Sequence, residues 1–254
     1  MNMPERELEA QKGFLVSIVI ATYNAGAYLE DCLQSIRLYA PESTEVVIMD
    51  GGSKDETISI LQREAKLVLN WASEPDDGIY DALNKATRKA NGRWLYFMGA
   101  DDRLLPEFKT LAGQLKDPHT VYYANSLDNF GDREHVFPLL KGAFSKYRLA
   151  KFCMNHQSIL YPAAVFEKYQ YNLQYKISAD YVLNMQVWGD AQFKKVYYPF
   201  TIVSYDMNGV SSQIKDSAFR RDKPELVKKH LGWLIYLRYR IKKYKENRRH
   251  NFEI

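Results

Sequence analysis

Much of what would announce a fold class is scarce in this chain of 254 residues. Two cysteines, Cys32 and Cys153, are too few for a disulfide framework or a thiolate-held metal cluster. They fit a reducing, cytoplasmic setting. Five histidines at scattered positions give no zinc spacing. No stretch approaches the roughly 18 consecutive apolar residues that a membrane-spanning helix needs. The opening residues, MNMPERELEAQKG, are polar and acidic and do not read as a signal or transit peptide. Repeats and low-complexity segments are missing. There is no nucleophile elbow, no glycine-rich phosphate loop followed by Lys and Ser or Thr, and no His-Glu-x-x-His motif. The turn after the first strand has only Gly26, so a dinucleotide fingerprint is excluded too.

What is present is the ordinary balance of a globular protein, 46% hydrophobic and 26% charged. The net charge of +4 hides an asymmetry. Residues 220–254 carry 12 Lys and Arg against 4 Asp and Glu, or +8, which leaves −4 for residues 1–219. Nineteen tyrosines suit amphipathic surfaces such as sugar contacts, or a tyrosine-rich core.

The first hundred residues alternate strand and helix. Leu15–Ala21 is a short β-branched run, as a strand buried on both faces should be. A helical pattern with Leu29, Cys32, Leu33 and Ile36 on one face follows. Glu45–Asp50 is a second strand, and a helix is expected from about Lys54 to Ala65. Leu67–Trp71 reads as a third strand, and Ile79, Ala82, Leu83, Ala86 and Ala90 mark the inward face of another helix. Arg93–Met98 is a fourth strand, ending at Gly99-Ala100-Asp101-Asp102. This alternation predicts right-handed βαβ units, hence an α/β fold with a mostly parallel sheet flanked by helices. Further on, Thr120–Asn125 and His135–Pro138 are short candidate strands, and Pro162–Lys168 begins a helix. Ser178–Gly189 is a helix with Ser178 as N-cap, and Lys195–Asp206 is one or two strands interrupted by Pro199.

Polar residues gather just after the strands: Thr22, Tyr23 and Asn24, then Asp50 to Asp55, then Asp101 with Asp102. In open α/β sheets the ligand lies at the carboxyl ends of the strands, so three loops aim at one crevice. Asp101-Asp102 either caps the next helix or holds a divalent cation, Mg²⁺ or Mn²⁺, together with diphosphate oxygens. Asp50 either forms an Asx-type turn or accepts a hydrogen bond from a nucleobase N–H.

Val16–Asn24 and Val47–Asp55, with Ser73-Glu74-Pro75-Asp76-Asp77-Gly78-Ile79-Tyr80-Asp81-Ala82-Leu83-Asn84-Lys85 and Gly99–Asp102, resemble glycosyltransferase family 2. The resemblance is nearest to the bacterial exopolysaccharide and O-antigen branch of colanic-acid type. It resumes at Asn155-His156-Gln157-Ser158, at Ile177–Tyr181 and at Asn208-Gly209-Val210-Ser211-Ser212, spanning roughly residues 14–215 in order.

The resemblance implies a GT-A fold, a nucleotide-sugar donor and a lipid-linked saccharide acceptor. Asp101 and Asp102 match the metal-binding acids, with Asp102 expected as the direct ligand. Ala100 departs from the acidic triplet. Thr22, Tyr23 and Asn24 match the first nucleotide loop, Asp50 the base-contacting acid, and Asp76 and Asp77 the approach to base and ribose. Asp180 matches the general base, and His156 is placed at the donor diphosphate or the acceptor. The loop Gly209–Ser212 resembles a segment that closes over bound donor.

The function so implied is an inverting, metal-dependent transfer of one sugar in bacterial surface polysaccharide synthesis. A nucleotidyltransferase on a similar sheet and a non-catalytic membrane-associated scaffold are the alternatives. The expected domains are a transferase body, residues 1–219, and a basic amphipathic helical tail, residues 220–254. That tail has the composition of a helix lying on anionic lipid, at the inner face of the cell membrane, or of a helix packed on the body. Nucleic acid is not an expected partner.

Overall fold

A computed structural model of the chain describes residues 13–68, 70–130, 139–207 and 216–250. The candidate strand His135–Pro138 and the expected closing loop Gly209–Ser212 lie outside these residues. The first half is built from β1 (Val16–Thr22), β2 (Thr44–Asp50), β3 (Asn70–Ser73) and β4 (Trp94–Met98). Their crossovers are α1 (Gly26–Tyr39), α2 (Thr57–Arg63) and α3 (Ile79–Thr87). The four strands lie parallel in the order β3-β2-β1-β4.

Later strands are β5 (Arg103–Leu104), β6 (Thr120–Asn129), β7 (Leu139–Leu140), β8 (Ile159–Pro162) and β9 (Lys194–Asp206). Antiparallel β8 joins β4 to β6, β9 runs parallel to β6, and the short β5 and β7 pair antiparallel with β9 and β6. Helices α4 (Glu107–Ala112), α5 (Lys146–Lys151), α6 (Ala164–Lys168) and α7 (Ala179–Gly189) follow the sheet, and α8 (Ser217–Leu226) and α9 (Trp233–His250) end the chain.

Successive strand side chains point to opposite faces, and here both faces are buried. Val19, Val47, Met49, Leu95 and Phe97 enter one core, packed under α3 and α7. Ile18, Ile20, Val46, Ile48, Trp94 and Tyr96 enter the other, packed under α1 and α4. That double burial is the reason the first strands read as unbroken apolar runs.

Four element boundaries differ from expectation for local reasons. Leu67 and Val68 donate their N–H groups to the Glu64 carbonyl, closing the α2 terminus, so β3 starts only at Asn70. Residues 54–56 are held by neighbouring loops, and α2 starts at Thr57, whose N–H donates to Asp55 Oδ1 at 3.1 Å. In α3, Ile79 is exposed and Tyr80 is buried instead, because the Tyr80 hydroxyl reaches the Ile177 carbonyl at 2.7 Å. Lys194–Asp206 is one strand, with its pairing slipped between Tyr123↔Tyr197 and Asn125↔Thr201 around Pro199, which has no N–H to donate.

The C-terminal stretch is not a simple appendage. The expected boundary at 219/220 falls inside α8, and Phe219, Val227, Leu231 and Tyr239 are buried in the core shared with Tyr181 and Trp188. A π-helical turn, Val227–Leu231, then Gly232 at φ +100°, turns the chain from α8 into α9. A Cβ on Gly189 would lie 2.0 Å from the His230 carbonyl oxygen. Gly189→Ala is therefore expected to cost about 1–3 kcal/mol, the range for overpacking a closed interface. Thermal melting of the variant checks this, and an unchanged midpoint would show that the π-helical turn is not packed there.

Candidate active site

The site starts from register. Thr22, Asp50 and Ser73 are partners across the ends of β1, β2 and β3. Buried Asp50 gathers all three strand ends: its Oδ1 accepts from Thr22 Oγ1 at 2.9 Å and Ser53 Oγ at 2.5 Å. Its Oδ2 accepts from Ser73 Oγ at 2.6 Å and from the Gly52 and Ser53 N–H groups at 3.0 and 2.9 Å. Burial alone would raise this carboxyl, but the bonds from Ser53, Ser73 and Thr22 outweigh it and hold Asp50 below the usual carboxylate range.

Asp50→Asn puts an amide N–H₂ against donors and is expected to destabilise by about 2–4 kcal/mol. Because the folded carboxyl is depressed, its contribution is complete above about pH 4, the unfolded value. It disappears as pH falls through the lower folded value. Urea melts across that window should show a shallower acid slope for Asp50→Asn; parallel slopes would refute the anchoring role.

The next loop is stitched to this one. Asn24, at φ +49°, donates its N–H to Ser53 Oγ at 2.8 Å and accepts from the Lys54 N–H at 2.9 Å. The Ala25 N–H donates to Thr57 Oγ1 and the Gly26 N–H to Asp55 Oδ2, both at 2.8 Å. Thr22, Asn24 and Asp50 thus hold the loops, while Tyr23 stands exposed above them. Asp76 lies over Gly51: a Cβ there would meet Asp76 Oδ2 at 2.7 Å and Tyr23 Cδ2 at 3.4 Å. Tyr23 and Asp76 therefore face one notch. Asp77 is engaged through its backbone, its carbonyl accepting from Lys176 Nζ at 3.1 Å, and its side chain is exposed.

At the end of β4 the two aspartates differ in burial. Asp102 is fully enclosed; its Oδ2 accepts from the Gly99 N–H at 2.7 Å and its Oδ1 from the Asp206 N–H at 3.1 Å. Burial, then the Asp101 charge, push Asp102 up to about 7 against these bonds and one from Gln157. Asp101 is half-buried and also raised, by burial and by Asp206. Gly99 leaves the space both carboxylates use, since a Cβ there would lie 2.4 Å from Asp101 Oδ1.

Arg103 beside them is already paired with Asp31 at 3.1 Å. Crowded carboxyl oxygens short of positive charge are the donor set of a hard divalent cation, so the residues fit Mg²⁺ or Mn²⁺. Among the described residues no three His, Cys, Asp or Glu side chains form a complete metal cluster. The remaining ligands would have to come from a bound molecule or water.

Asp180 sits in the first turn of α7, half-buried. The single hydroxyl hydrogen of Tyr80 is shared between the Ile177 carbonyl at 2.7 Å and Asp180 Oδ1 at 2.9 Å, and Cys153 Sγ lies 4.0 Å from Oδ2. Burial, then the Asp180 charge, raise the Tyr80 phenol far above its ordinary value, so it remains a donor. Ser178 is the N-cap residue without a capping bond; Asp216 Oδ2 accepts instead from the Ile177 and Ser178 N–H groups at 3.0 and 3.3 Å.

His156 opens a 3₁₀ turn, His156–Ser158, and stacks 5.8 Å from the Phe97 ring. Burial lowers its pKa against the pull of Asp180, and its Nδ1 has no hydrogen-bond partner among the described residues. Gln157, the next residue of this turn, bonds Asp102. Gln157, Tyr80, Ser53, Ser73 and Asp55 lie in the segments singled out in the sequence but receive no role from it, because each acts through a partner at least two residues and usually a whole element away.

The Glycosyl transferase family 2 model matches residues 17–177. A PGL/p-HBAD biosynthesis glycosyltransferase of Mycobacterium bovis is 33% identical over 224 residues, covering 83% of this chain and 84% of the relative. An uncharacterized glycosyltransferase of Mycobacterium tuberculosis is 26% identical, covering 80% and 79%. These names do not point to the colanic-acid or O-antigen branch. Among solved structures, S. aureus TarS 1–349 in complex with UDP superposes at TM-score 0.65 with 17% identity, covering 85% of this chain and 64% of that one. The mannosyltransferase PcManGT of Pyrobaculum calidifontis, in complex with GDP-Man and Mn²⁺, gives TM-score 0.58 at 18% identity, covering 91% and 65%. The sheet and its helices are those of a GT-A fold. The matched segment contains the β1, β2, β3 and β4 loops that build the cleft, and on that ground the chain is a transferase belonging to glycosyltransferase family 2.

Proposed function

We propose that the chain transfers a sugar, with inversion, from a nucleotide-sugar donor to a lipid-linked saccharide acceptor, using Mg²⁺ or Mn²⁺. The product belongs to a bacterial surface polysaccharide or glycolipid, made at the cytoplasmic face of the membrane, with residues 220–254 as the contact to it. The observation that carries this reading is the strand-end geometry: Asp50 ties the ends of β1, β2 and β3 together through Thr22 and Ser73, and Asp101 and Asp102 crowd over Gly99 at the end of the neighbouring β4.

In the donor half, Asp76 offers carboxylate oxygens to a base N–H, and Tyr23 offers a ring face. Thr22, Asn24 and Asp50 keep these two loops in register, and Asp77 contributes backbone. Asp101 is the open carboxylate that would hold the metal, and Asp102 braces the turn behind it. When bound, the metal supplies positive charge against the departing nucleoside diphosphate.

In the acceptor half, Asp180 takes the proton of the attacking hydroxyl, with Tyr80 fixing the carboxylate's orientation. Attack from the face opposite the leaving group is one displacement, hence inversion. His156 Nδ1, buried without a partner among the described residues, would bond a sugar hydroxyl or a donor oxygen only once its turn opens. The TarS structures in complex with UDP and UDP-GlcNAc, and PcManGT with GDP-Man and Mn²⁺, support a nucleotide-sugar donor without choosing its base.

The test is a thermal-shift screen of UDP, GDP and dTDP with and without Mn²⁺, followed by nucleotide-sugar turnover. One diphosphate should raise the midpoint only with metal, because binding to the folded state alone stabilises it. Release of that diphosphate should require an acceptor. Pyrophosphate exchange, or no response to any diphosphate with Mn²⁺, would overturn the proposal.

A further inference from the structure

We infer that the outward face of α9 is a docking surface for an anionic lipid bilayer. This deepens the membrane part of the function proposed above and needs none of its transfer chemistry. Trp233, Leu234, Leu237, Ile241 and Tyr244 are 57, 79, 45, 49 and 62% exposed. At the α-helical turn angle these five fall within an arc of about 100°. Tyr239, buried in the core, lies on the opposite side of the same helix. The helix is thus apolar on two faces, one buried against the body and one exposed. Single exposed apolar side chains need no explanation, but a continuous stripe rimmed by polar groups marks a surface that meets something.

Charge selects the occupant. Residues 233–250 hold seven Lys and Arg against one acid, Glu246. By helical position Arg238 and Lys245 flank the stripe on one side and Arg240 on the other. Lys228 lies 5.6 Å over the Trp233 ring at the start of the helix. An apolar centre with cationic margins matches acyl chains beneath anionic headgroups. A second copy of the chain would set like charges against each other. A nucleic acid would leave Leu234 and Ile241, which have no ring to stack, without a partner.

The surface also continues toward the site. Arg238 lies 3.8 Å over the Tyr147 ring and Lys242 5.8 Å over Phe152, which is itself exposed. The residue after Phe152 is Cys153, whose Sγ is 4.0 Å from Asp180 Oδ2. A bilayer under α9 and Phe152 would lie beside that carboxylate, where an acceptor sugar standing off a lipid has to arrive.

The experiment is sedimentation of the full chain with vesicles of phosphatidylcholine, alone and mixed with phosphatidylglycerol, without donor or acceptor. Binding is therefore read independently of transfer. Binding is expected only with phosphatidylglycerol. The double variant Leu234→Glu, Leu237→Glu is expected to bind at least about tenfold more weakly, from the loss of two apolar insertions. Its melting temperature should be unchanged, because neither side chain is in the core.

Tryptophan emission should shift to the blue on binding, and Trp233→Phe should remove the shift while keeping the sedimentation, since Trp94 and Trp188 are already buried and Trp71 lies half-buried in the edge strand β3. Four results would overturn the inference. These are equal binding by the double variant, equal binding to phosphatidylcholine alone, no binding at low salt, or a dimer that the same double variant dissolves.

Discussion

Replacing Asp180 by Asn is expected to lower sugar transfer by about 10²–10⁴, the usual contribution of a general base, while donor affinity stays nearly constant. The reason is positional. Asp180 projects from the first turn of α7, and its two oxygens meet Tyr80 and the Cys153 thiol rather than the loops after β1 and β2. On the proposed reading donor contacts fall on those loops, so removing the charge of Asp180 leaves them intact.

Isothermal titration with the donor diphosphate, beside single-turnover transfer to a soluble acceptor, separates the two effects. A large loss of donor affinity would move Asp180 from proton transfer to donor binding. Tyr80→Phe gives the graded control. It removes the 2.9 Å bond that orients the carboxylate but not the carboxylate itself, so transfer should fall by less than in Asp180→Asn.

The second large effect separates the paired aspartates. Asp101→Asn is expected to abolish the dependence of nucleotide binding on Mn²⁺ and to lower turnover by about 10²-fold or more, the scale for losing one preorganised electrostatic contact. The fold should be unaffected, because Asp101 is only half-buried. Asp102→Asn should act through stability instead. The carboxylate accepts from two backbone N–H groups, of Gly99 and Asp206, and an amide can accept on one side only. The expected loss is about 1–3 kcal/mol for the donor left unmatched.

Titrating Mn²⁺ against both variants, with melting curves for each, decides the order. A normally melting Asp102→Asn protein that has lost its metal response would restore Asp102 as the direct ligand. Such a result would also mean that the Gly99 turn opens when metal binds, because Asp102 is closed to the cleft as it stands.

Several features were legible in the residues alone because they follow from neighbours in sequence. The strands β1, β2 and β4 are buried on both faces, so they had to be continuous apolar runs. The crossovers needed periodic apolar faces, and these gave the helices of the first half. Polar clusters at strand ends then located the cleft, since in a parallel sheet those ends share one edge. The ordered motifs pointed to the family, and the family model matches residues 17–177.

What the sequence by itself determined is therefore the parallel half-sheet and the polar residue types at its strand ends. Tertiary structure alone decided which of them are enclosed and which are not. Asp50 and Asp76 are both acids after a strand, yet Asp50 is enclosed by Thr22, Ser53 and Ser73 while Asp76 lies over a glycine. Asp101 and Asp102 are adjacent, yet Asp101 is half-buried while Asp102 is enclosed, its oxygens taken by the Gly99 and Asp206 N–H groups. The same holds for the basic C-terminal stretch, where composition left lipid and packing as alternatives. Tyr239 is buried and Leu234 exposed on one helix. The physical reason is that a local pattern records how a side chain relates to its own element, whereas burial and hydrogen bonding depend on elements that arrive from far along the chain.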